Sequence, residues 1–253
     1  MPGAVSLEVS EGVAVLTLGR PEVMNALDAT LRREMTEAVR TVDARCVVLT
    51  GAGRAFCAGQ DLGEAGTSLD AERVLAEEYV PLLRAIHECP APVIAAVNGV
   101  AAGAGASLAL ACDVVVAAES ASFSLAFARL GLIPDAGGTW VLPRNVGLAR
   151  ALGMALLADP IPARQAAEWG LIWEAVPDDA FAARWRERAR ALAQGPTLAF
   201  RAAREALRGS FEASLDVQLG LEATHQGRLA KTADFAEGVA AFREKRPPRY
   251  RGA

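Results

Sequence analysis

Short apolar runs separated by polar turns and longer helix-like stretches alternate along most of the chain. Val5 to Val9 and Val13 to Leu18 alternate or run apolar, and Glu11-Gly12 between them suits the turn of a hairpin. Asp28 precedes a helical pattern over Ala29 to Val42 and is placed to cap it. Cys46 to Leu49 is a β-branched run ended by Thr50-Gly51, the signature of a buried strand. Leu69 to His87 reads as helix, Pro90 and Pro92 end it, and Val93 to Val97 is a second buried strand. Gly103 to Ala111 is small and apolar, which predicts a buried helix, and Val114 to Val116 is strand again. This alternation predicts an α/β arrangement with parallel pairing. After Gly195 the pattern changes. Pro196 to Arg208, Ala213 to Arg228 and Asp234 to Glu244 are helix-like with no strand between them. Two regions follow, a core over 1–195 and a helical region over 196–253 that packs on a neighbouring element or on another subunit.

Composition narrows the class. Of 253 residues, 52% are hydrophobic and 22% charged, which is ordinary for a folded domain and argues against disorder. No apolar run reaches the ~18–20 residues that span a bilayer. Met1 to Glu11 lacks a basic start followed by an apolar stretch, so the expectation is a cytoplasmic protein with no membrane partner. A net charge of −4 disfavours a broad nucleic-acid surface. Cys46, Cys57, Cys89 and Cys112 are widely spaced, with no CxxC pair, and only His87 and His225 accompany them. They predict reduced core cysteines and no metal site.

Glycine-containing turns follow three segments, at Gly51-Ala52-Gly53, Gly99 to Gly105 and Gly137-Gly138. None carries the Gly-Lys-Ser/Thr of a phosphate-binding loop, and Gly103-Ala104-Gly105 lacks the third glycine of a dinucleotide fingerprint. What these turns do offer is main chain without bulk, so a ligand can approach backbone amides closely. A helix starting near Gly103 points unpaired N–H groups and a positive dipole end at whatever lies before it.

The turns fall inside longer blocks. Gly51 to Leu62 resembles the first signature of the crotonase (enoyl-CoA hydratase/isomerase) superfamily, Val97 to Asp113 the second and Leu130 to Arg144 the third. Arg20-Pro21, Asn25-Ala26-Leu27, Glu237-Gly238 and Phe242 to Pro247 are similar to the family's ends, so the resemblance covers essentially the whole chain. It implies a spiral of ββα turns followed by a helical trimerisation region, with a homotrimer or homohexamer as the assembly. It implies an acyl-CoA thioester as substrate, no separate cofactor, and coenzyme A bound against the first signature. By position, the backbone N–H groups of Ala58 and Ala104 would hold the thioester oxygen. Ala26, Ala58, Gln60, Asp61, Leu62, Phe127, Leu130 and Lys245 would contact the substrate. Fixed amides at a developing oxyanion contribute ~3–4 kcal/mol each to a transition state.

Family hydratases carry two glutamates around this hole, and here those positions hold Ser107 and Phe127. Asp135 is the acid inside the third signature, at a position where isomerases of the superfamily place a catalytic aspartate. Leu125, Phe127 and Leu130 would surround it with apolar groups and raise its pKa. Residues 126–140 and 231–234 resemble, more narrowly, the 1,2-epoxyphenylacetyl-CoA isomerases of phenylacetate degradation. That implies conversion of a ring epoxide to an oxepin, together with double-bond shifting. The alternative is an enoyl-CoA hydratase of fatty-acid β-oxidation. His87 and His225 read as structural, and Cys57 as packing because no histidine in its signature activates it. Arg54, Lys245 and Arg246 are candidates for the coenzyme A phosphates.

Overall fold

A computed structural model describes residues 3–65 and 70–253. The predicted hairpin forms from β1 (Val5–Ser10) and β2 (Val13–Leu18), antiparallel, with Glu11 and Gly12 both left-handed in the turn. β3 (Cys46–Gly51), β5 (Val93–Val97), β7 (Val114–Ala118) and β10 (Glu174–Val176) then add in parallel, giving a six-stranded sheet of order β1-β2-β3-β5-β7-β10. Both faces of the central strands β3, β5 and β7 are covered, which is why these read as near-continuous apolar runs, whereas the edge strand β1 alternates and is exposed. Val47 and Leu49 face one core with the helix Ala29–Thr41 and the helix Val80–Glu88. Cys46 and Val48 face the other, closed by Phe181, Trp185 and Ala189 of the helix Asp178–Ala193. Successive side chains of one strand thus feed two cores, as the period of two demands.

A second sheet was not foreseen. β4 (Ala55–Cys57), β6 (Val100–Ala102), β8 (Ser122–Ser124) and β9 (Ile161–Pro162) make a four-stranded sheet, parallel except for β8–β9. Strands of two or three residues are too short to show any period. The turns that begin at β3, β5 and β7 each contribute one strand to the large sheet, one to the small sheet and then helix. The spiral of ββα turns is therefore present, and the helices Thr197–Gly209, Leu215–Leu229 and Ala233–Glu244 follow it.

Local signals hold where they rest on named atoms. Asp28 Oδ1 accepts the Leu31 N–H at 2.7 Å and caps the helix Ala29–Thr41. The stretch read as helix from Leu69 begins outside the described residues. From Ala71 it runs to Glu88 with a π turn at Leu75–Tyr79. The long helix Gly138–Leu157, kinked at Gly147 (φ 73°), went unread because its charges and glycines blur the helical stripe. Asp113 ties the helix Thr197–Gly209 to the sheet edge. Its carboxylate accepts from Arg204 Nε, Arg208 and the Val93 N–H, each at 2.7 Å. Both arginines also donate to backbone carbonyls, Arg204 to Cys89 and Ala91 and Arg208 to His87, so the contact does not hang on the carboxylate alone. Among the described residues, no helix is long and apolar enough to cross a membrane.

Candidate functional site

The first signature is held from both sides by asparagine side chains. Asn25, fully buried, donates to the carbonyls of Ala52 (2.9 Å) and Ala55 (2.8 Å), and its Oδ1 accepts the Arg20 N–H at 3.0 Å. Asn98 donates to the Gly53 carbonyl at 2.9 Å and accepts the Gly51 N–H at 3.2 Å. With the loop pinned, the segment after β4 is delivered against the start of the helix Ala104–Leu110.

The Ala58 amide is not available to a ligand. Its N–H donates to the Met24 carbonyl at 2.9 Å. The Leu27 N–H donates to the Gly59 carbonyl at 2.7 Å and the Asp61 N–H to the Leu27 carbonyl at 3.2 Å, a parallel bridge between Leu27 and Gln60. In such a bridge the residue between the two bonds turns its own N–H away from the partner segment. Among the described residues, the N–H groups of Gln60 and Ala104 have no acceptor. Gly59 brings the two segments together. It is left-handed (φ 94°), and a Cβ built on it would stand 2.7 Å from the Ala102 carbonyl oxygen and 3.2 Å from the Ala104 nitrogen. Only glycine allows that approach. The expectation of Ala58 as donor meets an N–H already bonded to Met24, and the neighbouring amide without an acceptor is that of Gln60. The sequence held no signal for this, since a main-chain donor makes no demand on its side chain.

The Gln60 side chain is locked. Its Oε1 accepts from the Tyr79 hydroxyl (2.8 Å) and from Arg32 (2.9 Å). Arg32, 2% exposed, also pairs with Glu78 at 2.7 Å and lies over the Tyr79 ring at 5.1 Å. Burial pushes the Tyr79 hydroxyl well above its ordinary pKa. Arg32 opposes that, and the Asp135 carboxylate is near enough to push it further up. Tyr79 and Arg32, which no motif marked, thus fix the residue whose amide has no acceptor.

Asp135 lies in a turn closed by the Gly138 N–H on its own carbonyl at 2.8 Å, with Ala136 (φ 47°) and Gly137 (φ 81°) both left-handed. Its Oδ1 is buried with no hydrogen-bond partner. Burial raises its pKa from 3.8 to about 6. Phe127 is buried, with its ring tip beside Gly103, and Leu125 is fully buried next to Gly138. Leu130, expected to cover Asp135, is 58% exposed, as is Leu62 at 57%. Ala26 is buried, with its carbonyl taken by Arg20 at 2.7 Å. Asp61 pairs with Arg20 at 2.8 Å and accepts the Gly63 N–H at 2.9 Å.

Other candidates separate. Cys57 is fully buried and its thiol is pushed up to about 12, so it is no nucleophile at neutral pH. Ser107 Oγ is buried and unpartnered. His225 is buried beside Glu205 (3.7 Å). His87 is remote in sequence but lines the same cavity as Ser107 and Gly137, its ring edge-on to Trp140 with centroids 6.5 Å apart. Burial and the nearby Arg208 and Arg204 lower its pKa. Lys245 is exposed in a left-handed position (φ 53°) ending the helix Ala233–Glu244, and shares no bond with the site residues. Arg246 is paired with Glu237 and Glu244, both at 2.6 Å, while Arg54 is exposed with no ion pair among the described residues.

Known proteins resemble this chain in sequence and in fold. Residues 8–253 match the family described as enoyl-CoA hydratase/isomerase. A Rhodobacter capsulatus protein named probable enoyl-CoA hydratase is 60% identical over 98% of each chain. The 1,2-epoxyphenylacetyl-CoA isomerase of Escherichia coli is 46% identical over 96% of this chain and 97% of its own. The crystal structure of enoyl-CoA hydratase from Bacillus anthracis superposes with a TM-score of 0.90 at 36% identity, covering 99% of this chain and all of the other. The chain belongs to the enoyl-CoA hydratase/isomerase family.

Proposed function

We propose that the protein is an acyl-CoA isomerase in which the amides of Gln60 and Ala104 hold the thioester oxygen and Asp135 moves the proton. The observation that carries this is the Asp135 carboxyl: buried at Oδ1, without a partner, and raised to about 6. At neutral pH it is mostly ionised and can act as base. Its pKa is also close enough to the working pH for the acid form to return the proton. Asp135 takes a proton from a carbon next to the thioester. The electron pair passes into the dienolate, whose oxygen rests on the two N–H groups, and the proton is returned at a different carbon. No atom is gained or lost. Coenzyme A enters only as part of the substrate.

Hydration needs further groups to position water, and the hydratase glutamate positions hold Ser107 and Phe127. The substrate reading follows the Escherichia coli relative: a ring epoxide of phenylacetyl-CoA carried to its oxepin isomer, with double-bond shifting as a related activity in phenylacetate catabolism. A hydratase is the second reading, favoured by the name of the Rhodobacter relative. A homotrimer or homohexamer is part of the proposal. Phe211, Leu215, Val217 and Phe242 on and around the C-terminal helices are 63–85% exposed in one protomer, an apolar surface that a symmetric partner would cover. Crotonyl-CoA tests the proposal. The isomerase leaves its mass unchanged, and rapid gain of one water at a turnover of ~10³ s⁻¹, the upper end of ordinary enzymes, would favour the hydratase.

A further inference from the structure

We propose that Ser107 is a specificity-determining residue whose hydroxyl binds an oxygen substituent carried by the acyl group, so that the preferred substrates are oxygenated rather than plain hydrocarbon acyl thioesters. This rests on the acyl-CoA reading above and adds the chemistry of the acyl end.

Ser107 is 1% exposed, and its Oγ has no hydrogen-bond partner. Helical hydroxyls elsewhere in the chain bond back one turn. Thr36 does so to the Arg32 carbonyl at 2.7 Å, Thr41 to Glu37 at 2.8 Å and Thr224 to Gly220 at 2.9 Å. Ser107 lies in the helix Ala104–Leu110 and leaves the equivalent Gly103 carbonyl to the Ala106 and Ser107 N–H groups. A buried hydroxyl without a partner costs free energy that a neighbouring carbonyl was available to offset. Its place explains what would satisfy it. Ser107 lines a cavity of about 940 Å³ together with Leu83, Leu110, Gly137, Trp140 and Val141. The hydroxyl faces the turn that carries Asp135. A Cβ built on Gly138 would stand 2.9 Å from Ser107 Oγ, and the Gly138 N–H is the one that closes that turn on the Asp135 carbonyl. Two unpartnered oxygens, Ser107 Oγ and Asp135 Oδ1, therefore flank the same turn. The arrangement suits an acyl group with an oxygen of its own: the hydroxyl donates to that oxygen while the carboxylate handles the proton.

The test is binding, which requires no turnover. Calorimetry compares phenylacetyl-CoA with its ring-hydroxylated counterpart, 2-hydroxyphenylacetyl-CoA, on the wild type and on Ser107→Ala. The variant should hold phenylacetyl-CoA within twofold of wild type and lose roughly 5–10-fold in affinity for the hydroxylated ligand, the scale of one neutral hydrogen bond. It should melt no lower than wild type, because the hydroxyl bonds nothing in the fold. An unchanged preference, an equal loss for both ligands, or a lowered melting temperature would overturn the role of Ser107. Failure of the wild type to bind either ligand would overturn the acyl-CoA reading beneath it, a separate and recognisable result.

Discussion

The Ala58 N–H donates to the Met24 carbonyl at 2.9 Å, and this one bond takes that amide out of the set a ligand could use. With Ala58 occupied and Gln60 turned outward by its bridge to Leu27, Gln60 and Ala104 are two amides that have no acceptor among the described residues. Ala104→Pro removes the second. Proline suits the first position of a helix, whose N–H has no helical acceptor. The fold, read by circular dichroism, should persist while kcat falls ~10²–10³-fold, the scale of one oxyanion donor. Gln60→Ala keeps its N–H and loses the side-chain bonds to Tyr79, Arg32 and the Asp61 carbonyl, so its loss should be smaller. Full turnover by a folded Ala104→Pro variant would remove Ala104 from the hole.

Asp135→Asn keeps the size of the side chain and removes its proton chemistry. Turnover should fall ~10²–10⁴-fold with little change in acyl-CoA affinity. In the wild type, log(kcat/KM) should rise with pH and level off above about 6, the pKa of the buried carboxyl.

Stability gives an independent check on the same group. The folded pKa lies above the ordinary value of 3.8, so the folded protein holds this proton more tightly than the unfolded chain. The stabilising contribution is complete below pH 3.8 and is lost as pH rises through about 6. Asparagine carries no such penalty. Asp135→Asn should therefore melt above wild type at pH 8, with the gap narrowing towards pH 4. A variant that melts lower at pH 8 would mean the carboxylate is stabilised by a partner.

Much of this was legible because it rests on side chains. Asp28 announced its cap, the β-branched runs announced β3, β5 and β7, and Asp135 stood out as the acid of its signature. The small sheet was not legible, since β4, β6 and β8 each have three residues and their pairing is set by the spiral rather than by local pattern. The amide left without an acceptor lies two residues from the one the sequence suggested, for a related reason. Ala58 and Gln60 differ in the direction of a main-chain N–H, which only the Met24 and Leu27 bonds reveal. Arg32 and Tyr79 were invisible because they act on Gln60 across distant segments of the chain.

The exposed apolar residues of the C-terminal region predict assembly. Phe242 is 85% exposed and Leu215 72% in a single protomer, large apolar side chains of the kind that a subunit interface covers. Sedimentation should give a mass of three or six chains, and Phe242→Asp should shift the distribution to smaller species. A wild type that sediments as one chain at micromolar concentration would contradict this.

The central claim is proton transfer without addition of water, and 3-hexenoyl-CoA tests it most directly. Its double bond can move into conjugation with the thioester only by loss of a proton at one carbon and return at another. The wild-type protein should convert it to 2-hexenoyl-CoA of identical mass, and Asp135→Asn should do so at least ~10²-fold more slowly. A product heavier by one water as the main species, or equal rates for the two proteins, would contradict the account.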